Sequence, residues 1–325
     1  MFPLYVILLS IIANEKMFVN LFTKHKKTKT TNTYRMSKLS FKRRLAFLLS
    51  LPLLFAACDQ KKPSVSQPPY QEIERDFPER IPPTAPHEDS TGSETPTVDP
   101  EIWDVSDVDI SHIDLNRKLI AFTFDDAPKR SLENILAVFA SFNESNPDCP
   151  ASATVFFNGY FFDAVSRQTV HAAYALGFEL GNHTQSHLDL TTLDRSALQA
   201  EIDQTDALLE KIDGKKRHLL RAPFGKVNEL VREVTQTPIL DWTIDTLDWT
   251  GVSQDDIYSS VYSARASGAI VLMHDGYANT VSALKRLLPD LKADGYQVVS
   301  VSQLSKAHEC PLKRGNQYIR IRKLR

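Results

Sequence analysis

Between residues 118 and 301, seven apolar runs of strand length alternate with segments of helical spacing. The strand-like runs are 118–124, 152–157, 178–181, 218–220, 238–242, 269–273 and 297–301. Helical segments fall at 132–142, 163–175, 195–212, 228–235, 254–266 and 281–293. In the third of these, Leu198, Ile202, Thr205, Leu208, Leu209 and Ile212 recur at the spacing of one helix face. Alternation of this kind implies parallel pairing through right-handed crossovers. The expected fold is α/β: a distorted (β/α) barrel of about seven parallel strands. Asp125, His183, Arg221, Asp245 and His274 each follow the end of such a strand. Parallel strands gather their C-terminal ends on one face, so these five residues should converge there.

Two adjacent carboxylates, Asp125 and Asp126, close the run Leu119 to Phe124. A buried carboxylate is costly unless it is paired or bound to a metal, so two in succession call for a positive partner. His183 and His187, four residues apart after Phe178–Gly181, offer the nitrogen ligands of a hydrolytic metal shell. Each feature also has a plainer reading. The two aspartates could cap a helix before Pro128, and the histidines could lie on an exposed turn. Arg221 could pair with a surface acid, and Asp248 and Trp249 could be a turn and a core aromatic. His274-Asp275 at the end of a buried run is harder to assign to structure alone. Five such features in order at five strand ends point to one site.

The first hundred residues have a different character. Lys38, Lys42, Arg43 and Arg44 precede an apolar run from Leu45 to Phe55, and Ala56, Ala57 and Cys58 close it. This is the layout of a secretory signal, too short for a membrane span. Its end resembles a bacterial lipobox, with Phe55 where Leu is usual and Cys58 as the lipidated residue. A second apolar patch from Phe2 to Ile12 lies upstream, so Met36 is the expected start of translation. Residues 59–100 hold nine of the eighteen prolines, with many Ser, Thr and Glu. Such a stretch buries too little to order itself and serves as a tether. The expected organisation is a leader over 1–57, a tether over 58–102, a catalytic domain over 103–312 and a basic tail over 313–325. The mature protein would be exported and lipid-anchored to the membrane, facing the periplasm or the cell exterior.

Beyond residue 57, 28 basic and 39 acidic residues remain, a formal charge of −11. That argues against nucleic acid and other polyanionic ligands, which need a basic footprint, and suits a neutral polymer better. Cys149 and Cys310 are the two cysteines left after Cys58. In an oxidising compartment they are candidates for one disulfide. Cys149 precedes a strand, and Cys310 follows the helical segment after the last strand, so both should lie at the N-terminal end of the sheet.

The ordered motifs Thr123-Phe124-Asp125-Asp126, His183-Thr184-Gln185-Ser186-His187, Arg221-Ala222-Pro223-Phe224-Gly225, Asp245-Thr246-Leu247-Asp248-Trp249 and Leu272-Met273-His274 resemble those of the polysaccharide deacetylase family, also called NodB-homology or carbohydrate esterase family four. The resemblance covers residues 117–306. It implies a divalent metal, commonly zinc, on Asp126, His183 and His187, with Asp125 as general base. Arg221 would orient Asp125, and Asp248 would tune His274, the general acid. Phe224 would offer its backbone N–H to the oxyanion, Trp249 would wall the groove, and Leu272 would line the acetyl pocket. The implied activity removes N-acetyl groups from an N-acetylglucosamine-containing glycan such as peptidoglycan, chitin or an exopolysaccharide. The alternatives are O-deacetylation of xylan, or a carbohydrate-binding module without turnover.

Overall fold

The computed structural model describes residues 101–163 and 166–323. The leader, Cys58 and nearly all of the tether lie outside the described residues. Among the described residues eight strands appear in chain order: β1 (Lys118–Ala127), β2 (Thr154–Phe157), β3 (Glu179–Asn182), β4 (Ile239–Leu240), β5 (Ile244–Asp245), β6 (Ile270–His274), β7 (Tyr296–Val299) and β8 (Gln317–Tyr318). Seven α-helices of the described residues accompany them: α1 (Leu132–Ser145), α2 (Ser166–Ala175), α3 (Arg195–Asp213), α4 (Glu229–Val234), α5 (Gln254–Ala264), α6 (Ala278–Ala293) and α7 (Val301–Ala307).

The main sheet runs β3-β2-β1-β6-β5, with β7 also paired to β1, and all of its pairings are parallel. β1 is central and buried on both sides. Ile120, Phe122 and Phe124 pack into the larger apolar cluster with α1 and α6, whereas Leu119 and Ala121 join a second cluster with Phe156, Leu219, Leu240 and Val299. Because side chains alternate along a strand, Thr123 and Asp125 follow Leu119 and Ala121 onto the second side. That alternation delivers a carboxylate to the end of a buried row.

Two expected strands came out differently. Segment 218–220 contributes only single bridges from Leu220 to Asn182 and to Ile239. Proline at 223 ends any extension, and Leu220 is the one residue that reaches both neighbours. The last strand stops at Val299 because Ser300 caps α7, its Oγ accepting from the Gln303 N–H at 3.3 Å. Val301 is therefore helical.

The basic C-terminal segment is tied into the fold. β8 pairs with β4, Arg320 bridges Ala269, and Ile321 is fully buried. Its apolar residues anchor it although its charge suggests a loose tail. Cys149 and Cys310 are not joined to each other in this structure. The Cys149 Sγ lies 4.0 Å from the Tyr296 carbonyl, while Cys310 packs against the second cluster beside Leu304 and Leu312. Burial pushes the Cys149 thiol pKa up, which keeps it protonated. Among the described residues no helix is long and apolar enough to cross a membrane.

Candidate active site

The strand ends bring the sequence-selected residues together. Asp125 and His274 are register partners on β1 and β6, and the Asp275 N–H donates to the Asp125 carbonyl at 2.9 Å. The His183 N–H, just after β3, bonds to the carbonyl of Phe157 at the end of β2, and the Arg221 N–H bonds to the Asn182 carbonyl.

Asp126, His183 and His187 form a compact ligand group, with donor atoms all within 4.8 Å of one another. Asp126 Oδ1 lies 3.7 Å from His183 Nε2 and 3.4 Å from His187 Nε2. Ligands bound at about 2.0–2.2 Å in a tetrahedral shell stand roughly 3.4 Å apart, so this set fits zinc or a similar ion. His183 Nδ1 is 2.8 Å from the Arg221 carbonyl, which makes Nδ1 the protonated nitrogen and leaves the Nε2 lone pair for the metal. Burial, then the neighbouring His183, pushes the His187 pKa down and keeps that ring neutral. Burial works against the Asp126 carboxylate, but His183, Lys129 and His187 together hold its pKa below the usual value.

Asp125 sits beside this group. Arg221 is fully buried and donates Nη1 to Asp125 Oδ1 at 2.8 Å and to Thr123 Oγ1 at 2.6 Å. Its Nε meets the Leu240 carbonyl at 3.1 Å and its Nη2 the Asp241 carbonyl at 3.0 Å, while Phe156 lies against the guanidinium at 4.3 Å. With Oδ1 so engaged, Asp125 Oδ2 is the oxygen near the ligands, 3.8 Å from His183 Nε2.

His274 is equally fixed. Asp248 accepts from His274 Nδ1 at 2.7 Å, from the His274 N–H at 2.8 Å and from Thr280 Oγ1 at 2.6 Å. Burial lowers the His274 pKa, but the Asp248 hydrogen bond and the charges of Asp125 and Asp248 outweigh it and raise the net value. Burial also raises the Asp245 pKa nearby. Leu272 is buried between Thr123 and Asp245 in register, and Trp249 is 42% exposed at the rim. Phe224 is exposed, its backbone is left-handed at φ 62°, and its ring packs edge-on to His187 at 4.9 Å.

Backbone strain concentrates here. Asp126, Thr184, His187, Phe224 and Leu247 all have positive φ without being glycine. The loop 183–187 is held in that shape from α3. Glu201 Oε2 accepts the Ser186 N–H at 2.7 Å, and the Glu201 carbonyl accepts the Gln185 N–H at 2.9 Å. Asn182 Oδ1 accepts the Thr184 N–H, while Asn182 Nδ2 donates to Asp206, itself bonded to His218.

Sequence reasoning passed over Glu201, Asp206, Thr280, Lys129 and the role of Asp275. Lys129 Nζ lies 3.0 Å from Asp126 Oδ2, a pairing whose only sequence signal is the three-residue spacing. Asp275 is fully buried, accepts the Lys129 N–H, and has its pKa pushed up to about 6 by burial.

Comparisons with known proteins place the chain among polysaccharide deacetylases. A family model described as polysaccharide deacetylase matches residues 112–238. The peptidoglycan-N-acetylmuramic acid deacetylase PdaC of Bacillus subtilis is 31% identical over 198 residues, 60% of this chain and 40% of that protein. A peptidoglycan-N-acetylglucosamine deacetylase of Bacillus cereus is 34% identical over 200 residues, covering 58% of this chain and 89% of that one. The solved structure of PdaC superposes with a TM-score of 0.56 at 30% identity, covering 61% of this chain and 94% of that chain. The match thus spans less than half of full-length PdaC and most of the shorter Bacillus cereus protein.

Proposed function

The chain belongs to the polysaccharide deacetylase family, and we propose that it is a metal-dependent N-deacetylase of an N-acetylated glycan, with peptidoglycan as the favoured substrate. The observation that carries this reading is the separation of roles across one cleft. Asp125 is anchored through one oxygen by Arg221, and His274 is anchored through Nδ1 by Asp248. The two are register partners on adjacent strands, so base and acid stand side by side. A divalent ion on Asp126, His183 and His187 would act as a Lewis acid and bring the pKa of its water towards neutrality.

Asp125 Oδ2 takes the proton of the attacking water. The Phe224 backbone N–H faces the developing oxyanion. His274, with Nδ1 on Asp248, carries its transferable proton on Nε2 and delivers it to the departing sugar nitrogen. Acetate and a free amine are the products. Leu272 supplies the apolar floor for the acetyl methyl, and Trp249 supplies a wall for the sugar. We read the bridges that link β3, Leu220 and β4 as the thin side of a distorted barrel whose open end is this cleft. The names of the relatives favour peptidoglycan over chitin or xylan.

The exported, lipid-anchored state through Cys58 belongs to the same proposal, since it would place the enzyme beside the cell wall. Cys58→Ser should abolish lipid labelling, and recovery of a soluble wild-type protein with another N-terminus would overturn the anchor. For the activity, acetate release should be measured on N-acetylglucosamine oligomers, peptidoglycan glycan and acetylated xylan. Release from the first two and not the third is expected. Release from xylan alone would overturn the reading, and tight glycan binding with no release from any of the three would favour a binding module.

A further inference from the structure

Lys129 is held at the site by four contacts. Its backbone N–H donates to the buried Asp275 carboxylate. Its stem runs past Gly276, where an added Cβ would come within 3.2 Å of the Lys129 Cδ. Its ammonium is 3.0 Å from Asp126 Oδ2 and 5.4 Å from the Phe161 ring centroid. A surface lysine is usually a mobile, solvated charge, whereas this one is only 30% exposed.

The pairing leaves the metal-facing oxygen of Asp126 alone. Oδ1 faces the two imidazoles, and Oδ2 takes the lysine. An ammonium has three donors, and Asp126 accepts the one side-chain hydrogen bond that Lys129 makes among the described residues. A fixed cation one carboxylate away from a divalent site opposes metal binding, so for the metal alone Lys129 is a liability. It becomes useful where the substrate brings a negative charge. Beside it, Tyr160 and Phe161 form an exposed aromatic edge, and Gly159 and Tyr160 are tied by backbone hydrogen bonds to Thr184 and Gln185 of the histidine loop. An aromatic surface with an adjacent ammonium suits a sugar ring that carries a carboxylate. The exported chain is strongly acidic, so attraction for such a ligand has to be local.

We propose that Lys129 is a specificity-determining residue that binds a carboxylate on the glycan at or next to the reacting sugar, the kind of group a lactyl ether on muramic acid provides. This rests on the deacetylase reading above, and it assigns a preference, among the glycans the site can deacetylate, for those that carry a free carboxylate.

The test uses the full-length protein with zinc and one muramyl-containing oligomer in two forms, with its lactyl carboxylates free or converted to methyl amides. The wild type should favour the free acid in kcat/KM. Lys129→Ala should reduce that preference by about tenfold or more, chiefly through KM, and Lys129→Arg should retain most of it. High salt should erode the wild-type preference and leave that of the Ala variant flat. Lys285→Ala, an exposed lysine on α6, controls for net charge and should keep the preference. An equal loss on both forms would confine Lys129 to a role on Asp126 and overturn the proposal, as would an unchanged preference. Calorimetric binding of the same pair reads the contact without turnover. Absence of acetate release would then sink the deacetylase reading, while an equal affinity for both forms would sink this one.

Discussion

His183 Nδ1 lies 2.8 Å from the carbonyl oxygen of Arg221, whose guanidinium in turn holds Asp125 Oδ1 at 2.8 Å. One residue therefore sets the tautomer of His183 through its backbone and the orientation of Asp125 through its side chain. Arg221→Lys keeps the charge but loses the fork that also meets Thr123 and the Leu240 and Asp241 carbonyls. Stability should fall by about 3–5 kcal/mol and kcat by roughly a hundredfold. Chemical denaturation and steady-state kinetics on the same preparation check both.

The His274–Asp248 pair predicts the alkaline limb of the pH profile. Burial depresses the His274 pKa, but Asp248 and the nearby Asp125 outweigh it, so the acid form persists above the ordinary histidine value. The alkaline limb of kcat should lie above about pH 6.5. Asp248→Asn removes the hydrogen-bonded charge and should move that limb downward. A limb that stays in place would mean that another group supplies the proton.

Glu201 is a brace for the ligand loop rather than a ligand. Glu201→Ala frees the Ser186 N–H, and the left-handed conformations at Thr184 and His187 lose support. Zinc affinity should fall about 10–100-fold, as is usual for groups that orient metal ligands. A chelator competition assay measures this, and the unfolding midpoint of the metal-free protein should move far less.

His218 predicts a pH dependence of stability. Burial opposes its charge, but Asp206 and Asp213 hydrogen-bond both ring nitrogens and raise its pKa. A folded pKa above the unfolded one gives stability that is fully present below about pH 6.5 and is lost as pH rises through the folded value. Denaturant titrations from pH 6 to 9 should show this decline in the wild type and a flatter curve in His218→Gln.

The reach of the sequence follows from what each residue contacts. Asp125, His183, Arg221 and His274 were legible as candidates because each follows an apolar run, where a polar group needs a reason, and Asp126, His187 and Asp248 through their spacing from these. Thr280 and Glu201 were not. Thr280 sits in an ordinary amphipathic helix and meets Asp248 across 32 residues, and Glu201 looks like any acidic residue on α3 until packing turns it towards Ser186. The strand at 218–220 shrank to a bridge at one residue, because the pairing of so short a segment is a tertiary outcome. The paired lysine at 129 carried no signal beyond its spacing from Asp126.

On the proposed mechanism Asp126, His183 and His187 hold a metal on which amide hydrolysis depends, with Asp125 as the base. Its most direct test is acetate release from an N-acetylated peptidoglycan glycan before chelation, after exhaustive metal removal and after zinc is restored. Asp125→Asn is measured alongside for both turnover and bound zinc. The account predicts that activity is lost on chelation and returns with zinc, and that Asp125→Asn retains zinc while its turnover falls by about 10²–10⁴-fold. Undiminished acetate release from the metal-free protein would contradict it.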